Sequence, residues 1–252
     1  MNEEKKHISF SAINQWNKCP YSYKIVYVDK VKEFNHSEFT AFGSSMHYVI
    51  ENLLLNEKFD KHNEFKKKFE QEIMCLKKCD EKLINTLREQ SVLLLEEAVP
   101  AIKNRFGDFE VISTEKRIEY SLNEQMNFLG YIDLIIKIGD EYKIIDWKTT
   151  SWGWDARKKS DKLTGYQLAF YKYFLLEELK IDPKKVETYF ILLKRTAKKD
   201  RIEFVKITSG QKKINNALEL MNKALFSLQN NFYVKNKLNC DKCDFKKTKY
   251  CS

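Results

Sequence analysis

Apolar positions change their period partway along the chain, separating a helical first part from a strand-rich second part. Phe42, Met46, Val49 and Leu53 recur at helical spacing and predict a buried stripe on a helix over residues 38–56. Before it, Ser9 or Ser11 can cap a short helix through Trp16 that stops at Cys19-Pro20, because the residue preceding a proline is pushed out of helical backbone angles. Two charged segments, 60–78 and 80–104, keep the helical period, with a break expected near Pro100. They read as a helical insertion over residues 57–108. From Phe109 the period becomes that of strands, at 109–121, 127–138 and 141–148. A helix at 162–180, strands at 186–195 and 201–207, a helix at 210–230 and a Cys-rich tail at 232–252 complete the pattern. Helix, three strands, helix, strand predicts an α/β (α+β) fold with a central mixed sheet flanked by helices, since a Rossmann fold would alternate regularly. With 3 Pro, 7 Gly, no low-complexity linker and no fixed-period repeat, the 252 residues are expected to form a single domain.

A hydrophobic content of 43% is enough for a substantial core. No run of about 18 uninterrupted apolar residues occurs, and Met1 to Lys6 lack the apolar stretch of a secretory signal, so a cytoplasmic protein with no membrane partner is expected. The net charge of +9 favours encounter with a polyanion such as nucleic acid. Six cysteines in an intracellular chain point to metal or cluster ligation, or to buried thiols, before disulfides.

The segment from Gly130 to Lys148 carries the chemistry. Gly139-Asp140 is a two-residue hairpin turn, so Ile138 faces Glu141, and the same pairing carried back along both strands puts Asp133 opposite Asp146. Their Cβ atoms would lie roughly 5 Å apart on one sheet face. Lys148, two residues beyond Asp146, points to that face as well. Two carboxylates so close repel by about 3 kcal/mol at an effective dielectric of about 20, a cost that a divalent cation would offset. An isolated Asp-x-Lys is ordinarily a surface ion pair. Here it ends a nearly all-apolar strand and faces a second Asp, where an exposed face would favour Thr or Lys.

Taken with Ile8-Ser9-Phe10-Ser11 through Cys19-Pro20, Phe42-Gly43-Ser44-Ser45-Met46-His47, Gly130-Tyr131-Ile132-Asp133, Ile145-Asp146-Trp147-Lys148 and Tyr166-Gln167 with Tyr171, the chain resembles the RecB-like branch of the PD-(D/E)xK nucleases. Ile132 stands where the motif has its leading proline. The resemblance implies a restriction-endonuclease-like core with Asp133, Asp146, Lys148, Gln167 and Tyr171 as catalytic residues. It also implies His47 as a further ligand, with Asp133 and Asp146, for Mg2+ or Mn2+. Such ions would polarise the phosphoryl oxygen and lower the pKa of a bound water. Lys148 would steady the attacking water or the phosphate, and Gln167 would orient the lysine or a phosphate oxygen. Glu115 is a candidate second-metal carboxylate, with Glu119 competing for the role. His7, His36 and His62 have no comparable context.

The same branch, which includes the CRISPR-associated spacer-acquisition nucleases and the exonuclease V type, ties one N-terminal cysteine to three C-terminal ones around a [4Fe-4S] cluster. Carried over, that set is Cys19, Cys240, Cys243 and Cys251; four thiolates also suit Zn2+, which the spacing does not exclude. Cys75 and Cys79, i and i+4 on an expected helix, read as packing or surface thiols. After the lysine, Trp152, Trp154, Arg157 and Lys158 place aromatics beside cations, as single-strand DNA channels do, although the two tryptophans could equally pack. The expected activity is a DNA exonuclease on single strands or free ends, in recombination, repair or phage DNA processing. The alternatives are a CRISPR-adaptation nuclease subunit and a non-catalytic DNA-binding module. No Walker motif is present, so unwinding would need a helicase or recombination partner.

Overall fold

The computed structural model describes residues 5–31 and 37–251, so His36 lies outside the described residues. The chain forms two compact units, one of Met1–Asn35, Ile118–Gly130 and Gly210–Ser252, the other of His36–Arg117 and Tyr131–Ser209.

In the first unit, strand β1 (Lys6–Ile8) pairs in parallel with the start of β3 (Met126–Ile138), Lys6 opposite Met126. Three residues are too few to show a period, so the sequence pattern does not reveal β1. Helix α1 (Phe10–Lys18) starts where Ser9 accepts the Ala12 N–H and ends before Cys19, which has extended backbone angles. Pro20 then opens a second short helix, α2 (Pro20–Tyr23), at a position where its missing N–H costs nothing, and a π-helical turn over Lys24–Val28 follows. Helix α8 (Gln211–Gln229) packs on α1, and the tail ends in a 3-10 turn over Lys237–Lys242.

The second unit holds α3 (Glu38–Leu55), α4 (Lys61–Met74), α5 (Glu81–Phe106), most of β2 (Glu110–Ser121), the end of β3, β4 (Glu141–Thr150), α6 (Ala156–Ser160), α7 (Lys162–Leu179), β5 (Val186–Lys194) and β6 (Ile202–Ile207). The expected insertion is therefore α4 and α5. No break occurs at Pro100: α5 runs through it, because Leu94, Leu95, Ala98 and Ile102 are all buried on one face and hold both sides of the proline against the core. The sheet is mixed, with β3–β4 antiparallel, β4–β5 parallel and β5–β6 antiparallel, and helices flank it.

Gly139, at φ +54°, makes the tight turn between β3 and β4, and Ile138 pairs with Glu141 through to Leu134 with Ile145, the register expected from the sequence. One sheet face, carrying Leu134, Ile136, Ile145, Trp147, Ile191 and Leu193, packs on α3, α4 and α5. The other face is apolar as well. Ile135, Ile144, Phe190 and Leu192 are fully buried there, and α7 packs on β4 and β5 over the parallel crossover. Two dry layers thus clamp the strands that carry the acidic residues. Among the described residues no helix is long and apolar enough to cross a membrane.

Candidate active site

Asp133 and Asp146 sit on the adjacent strands β3 and β4, each one residue beyond the paired Leu134 and Ile145, and both are buried, with Asp146 only 1% exposed. Each is held in place. The Trp147 N–H donates to Asp133 Oδ2 at 2.7 Å, and the Gln167 amide on α7 donates to Asp146 Oδ1 at 2.7 Å and to the Tyr171 hydroxyl at 3.1 Å. The sequence had suggested that Gln167 orients the lysine or a phosphate oxygen; here its amide bonds Asp146. Such an outer partner fixes the rotamer of the carboxylate it bonds.

Lys148 reaches back to Asp146 Oδ2 at 2.5 Å, with its ammonium 5.6 Å from the centre of the Phe190 ring. Phe190 is the register partner of Asp146 on β5, and Trp154 packs against it edge-on at 5.0 Å. Of the two loop tryptophans, Trp154 is thus a wall behind the lysine, while Trp152 is 68% exposed.

Helix α3 approaches the acidic pair, and His47 Nδ1 lies 3.4 Å from Asp133 Oδ2. One turn further along, Glu51 is buried, and its Oε1 has no hydrogen-bond partner among the described residues. Ligand atoms of His47, Glu51 and Glu115 all lie within 4.8 Å of one another. Glu115 gets there through a backbone irregularity. Its φ is +47°, a left-handed conformation that costs a non-glycine residue about 1–2 kcal/mol, and the in-out alternation of β2 slips at Ser113-Thr114 just before it. Glu119 is engaged elsewhere, by His7 at 2.9 Å and Asn127 at 2.8 Å, and His62 pairs with Glu96.

Removal from water sets the protonation of this cluster. Burial pushes Glu51 up to about 9, with Glu115 and Asp133 adding repulsion. Burial likewise raises Asp133 to about 7, against the pull of Lys148, and Asp146 to about 6. His47 is lowered by burial to about 4 and is a neutral imidazole at pH 7, the form that ligates metals. For Lys148, burial works to lower the pKa, but Asp146 and Asp133 outweigh it and hold the ammonium above its ordinary range.

These donors fit a hard divalent cation. Glu51, Glu115 and the His47 imidazole bring their ligand atoms together, Asp133 adjoins His47, and Glu51 Oε1 lacks a hydrogen-bond partner among the described residues. The oxygen-rich set suits Mg2+ or Mn2+, and the imidazole is better tolerated by Mn2+. Sequence reasoning had not singled out Glu51. Its signal was available: it stands i+4 from His47 and between Ile50 and Leu53 on an otherwise buried stripe.

The cysteines form a separate feature within the first unit. The Asn236 N–H donates to Cys19 Sγ at 3.3 Å, the Cys19 thiol donates to Val234 O at 3.8 Å, and the Cys240 thiol donates to Asn236 O at 3.9 Å. Asn236 and Asn239 side chains also donate to Lys18 O, so the tail is docked on the end of α1. Cys243 and Cys251 are partly buried, whereas Cys75 and Cys79 are exposed. Among the described residues, these cysteines do not form a group of three or more ligand atoms within 4.8 Å.

A family model described as the PD-(D/E)XK nuclease superfamily matches residues 7–248. No curated protein matches. Among solved structures, a candidate exonuclease from Eubacterium rectale superposes with a TM-score of 0.60 at 14% identity, over 96% of this chain and 87% of that one. A second, SSO0001, reaches a TM-score of 0.45 at 14% identity over 96% and 85%, too distant to carry an argument. The first shares the fold, a mixed sheet flanked by helices of the restriction-endonuclease-like kind.

Proposed function

Because the chain belongs to the PD-(D/E)XK nuclease superfamily, we propose that its acidic cluster is the catalytic centre of a Mg2+- or Mn2+-dependent DNA exonuclease acting on single strands or free ends. The observation that carries this reading is the grouping of His47, Glu51 and Glu115, with His47 against Asp133 and a charged Lys148 against Asp146. When bound, the cation supplies Lewis acidity toward the phosphodiester and a water of lowered pKa. The chain's own residues do the rest. Asp133, Asp146, His47, Glu51 and Glu115 would hold the cation; the Trp147 N–H and Gln167 keep the two aspartates from rotating away. Lys148, on its Phe190 support, places a fixed positive charge where negative charge develops on the phosphate. The apolar layers on both sheet faces limit the water that would otherwise weaken these interactions.

The exonuclease mode draws support from the helices α4 and α5 and from the cationic segment after Lys148, which would enclose a threaded strand. The name of the Eubacterium rectale neighbour agrees with it. Linear single-stranded DNA should be degraded and a closed circle of the same sequence spared. Equal cleavage of both would reject threading and leave an open, endonucleolytic site. Roles in recombination, repair or phage DNA processing belong to the same proposal.

Cys19, Cys240, Cys243 and Cys251 would hold a [4Fe-4S] cluster that ties the tail to the end of α1, in a structural role. The Asn236 N–H aimed at Cys19 Sγ supports this, since amide hydrogen bonds to sulfur accompany cluster thiolates. Anaerobically purified protein should be brown with about four irons per chain, and Cys19→Ala should lose both colour and thermal stability. Stoichiometric zinc without iron or sulfide would assign the site to zinc instead.

A further inference from the structure

The loop after β4 carries two tryptophans of opposite character. Trp154 is committed to Phe190, and Lys158 lies over its ring at 5.7 Å. Trp152 projects into solvent with 68% of its surface exposed, among the most exposed large apolar side chains of the protein. A floppy loop would make that exposure uninformative, but the backbone on either side of Trp152 is fixed. The Thr150 hydroxyl donates to Trp152 O at 2.5 Å. Ser151 O accepts both the Thr196 N–H at 3.1 Å and the Thr196 hydroxyl at 2.7 Å, and the Arg195 guanidinium donates to Ser151 Oγ at 2.9 Å. Arg195 is itself braced, 4.7 Å over the Phe39 ring and bonded to Gln90. On the other side, Gly153 lies so close to the Glu203 carboxylate that a Cβ there would collide with it, and Lys159 and Lys194 pin that carboxylate. The fold therefore holds an indole out in water on a rigid support, the reverse of what burial of apolar surface would dictate.

The segment that follows Trp152 is rich in cations. Arg157 and Lys162 are exposed and carry no ion pair among the described residues, and Lys158 and Lys159 stand between them. The support is also continuous with the acidic site, because β4 carries Asp146, Lys148 and Thr150 and leads directly into Trp152. Three residues separate Lys148 from Trp152, so their Cα atoms lie no more than about 14 Å apart. Stacked nucleotides rise about 3.4 Å each along a strand, so that reach spans about four of them.

We propose that Trp152 is a stacking platform for one nucleobase of a single DNA strand, about four nucleotides or fewer from the phosphate at Lys148, with Arg157 and Lys162 available to neighbouring phosphates. The inference rests on the nuclease reading above and adds to it a residue that sets the register of the bound strand. Every base has a stacking face, so the platform would favour single-stranded over paired DNA without sequence preference.

Binding of fluorescein-labelled single-stranded oligonucleotides, measured by anisotropy without divalent cation, tests it separately from cleavage. Trp152→Ala should weaken binding by about 5- to 150-fold, the range for loss of one stacked base, and Trp152→Phe should restore most of it. With 68% of its surface exposed, Trp152 contributes little buried area, so the melting temperature should hardly move. A series of oligonucleotides with a single abasic site moved stepwise from the attacked end should show, in the wild type, one position of weakened binding within about four nucleotides. That penalty should vanish in Trp152→Ala. Unchanged affinity in Trp152→Ala, or an abasic profile that is the same in both proteins, overturns the platform even if wild-type cleavage is intact. Failure of the nuclease reading would appear differently, as absence of cleavage by the wild type.

Discussion

Asp146→Asn is expected to lower DNA cleavage by at least about 10³-fold at saturating Mn2+, and Lys148→Ala by a comparable factor, with the fold retained in both. Asparagine keeps the shape of the side chain and the Oδ1 that Gln167 bonds, but it removes the charge that draws a cation and that pairs with Lys148. The fold should survive because the neighbouring core does not depend on that charge. Trp147, Ile145 and Ile191 pack on one side, and Ile144, Phe190 and Leu192 are buried on the other. Burial has already raised Asp146 to about 6, so ionising it at neutral pH costs the metal-free protein stability, and the amide should leave the melting temperature equal or higher. Cleavage of end-labelled DNA alongside thermal melts checks both halves. A variant that cuts at the wild-type rate, or one that is inactive only because it is unfolded, would contradict this assignment.

Glu51→Gln should produce the second large effect, in two separate readouts. In the metal-free protein the folded state keeps a proton on Glu51 up to about pH 9, whereas in the unfolded chain an ordinary glutamate has lost it by then. The folded state then binds more protons, so stability falls as pH rises, by up to about 1.4 kcal/mol per pH unit for one group. Between pH 7 and 9 the wild type should lose on the order of 2 kcal/mol that Glu51→Gln does not lose. Neighbouring groups titrate mainly outside this window. Asp133 is raised to about 7 and Asp146 to about 6, so their losses come mostly below it. His47, lowered to about 4, contributes stability that disappears only as pH falls below its ordinary 6.5. With divalent cation present the order should reverse, the wild type gaining stability and the variant requiring about 10- to 100-fold more Mn2+ for the same cleavage rate. Parallel pH-stability curves for the two proteins, or equal Mn2+ requirements, would remove Glu51 from the cation site.

How much of this was legible in the sequence follows from what each feature depends on. Asp133, Asp146 and Lys148 could be brought together because a two-residue turn at Gly139-Asp140 fixes the register, and strand pairing is strictly periodic from there. Helical spacing located α3 and placed His47 near its buried stripe, but Glu51 reads in isolation as the charged side of an amphipathic helix. Only packing on both sides of α3 shows that it is buried. Glu115 was a candidate, yet its approach to His47 depends on a left-handed residue in mid-strand, which alternation of polar and apolar positions cannot reveal. Trp152 and Trp154 are indistinguishable by composition and spacing. Their separation comes from Phe190, a residue on a strand some forty positions away. Pro100 misled for a similar reason, since local propensity predicts a break and tertiary packing overrides it.

If the buried acidic cluster is the catalytic centre proposed above, cleavage of DNA requires a divalent cation. The most direct test is fragment release from end-labelled linear single-stranded DNA by the purified wild-type protein, first in Mn2+, then after addition of excess EDTA, then with Mn2+ restored. Short products are expected in Mn2+, none in EDTA, and recovery when the cation returns; intact DNA in all three conditions, or equal cleavage in EDTA, would rule out a cation-dependent nuclease centre.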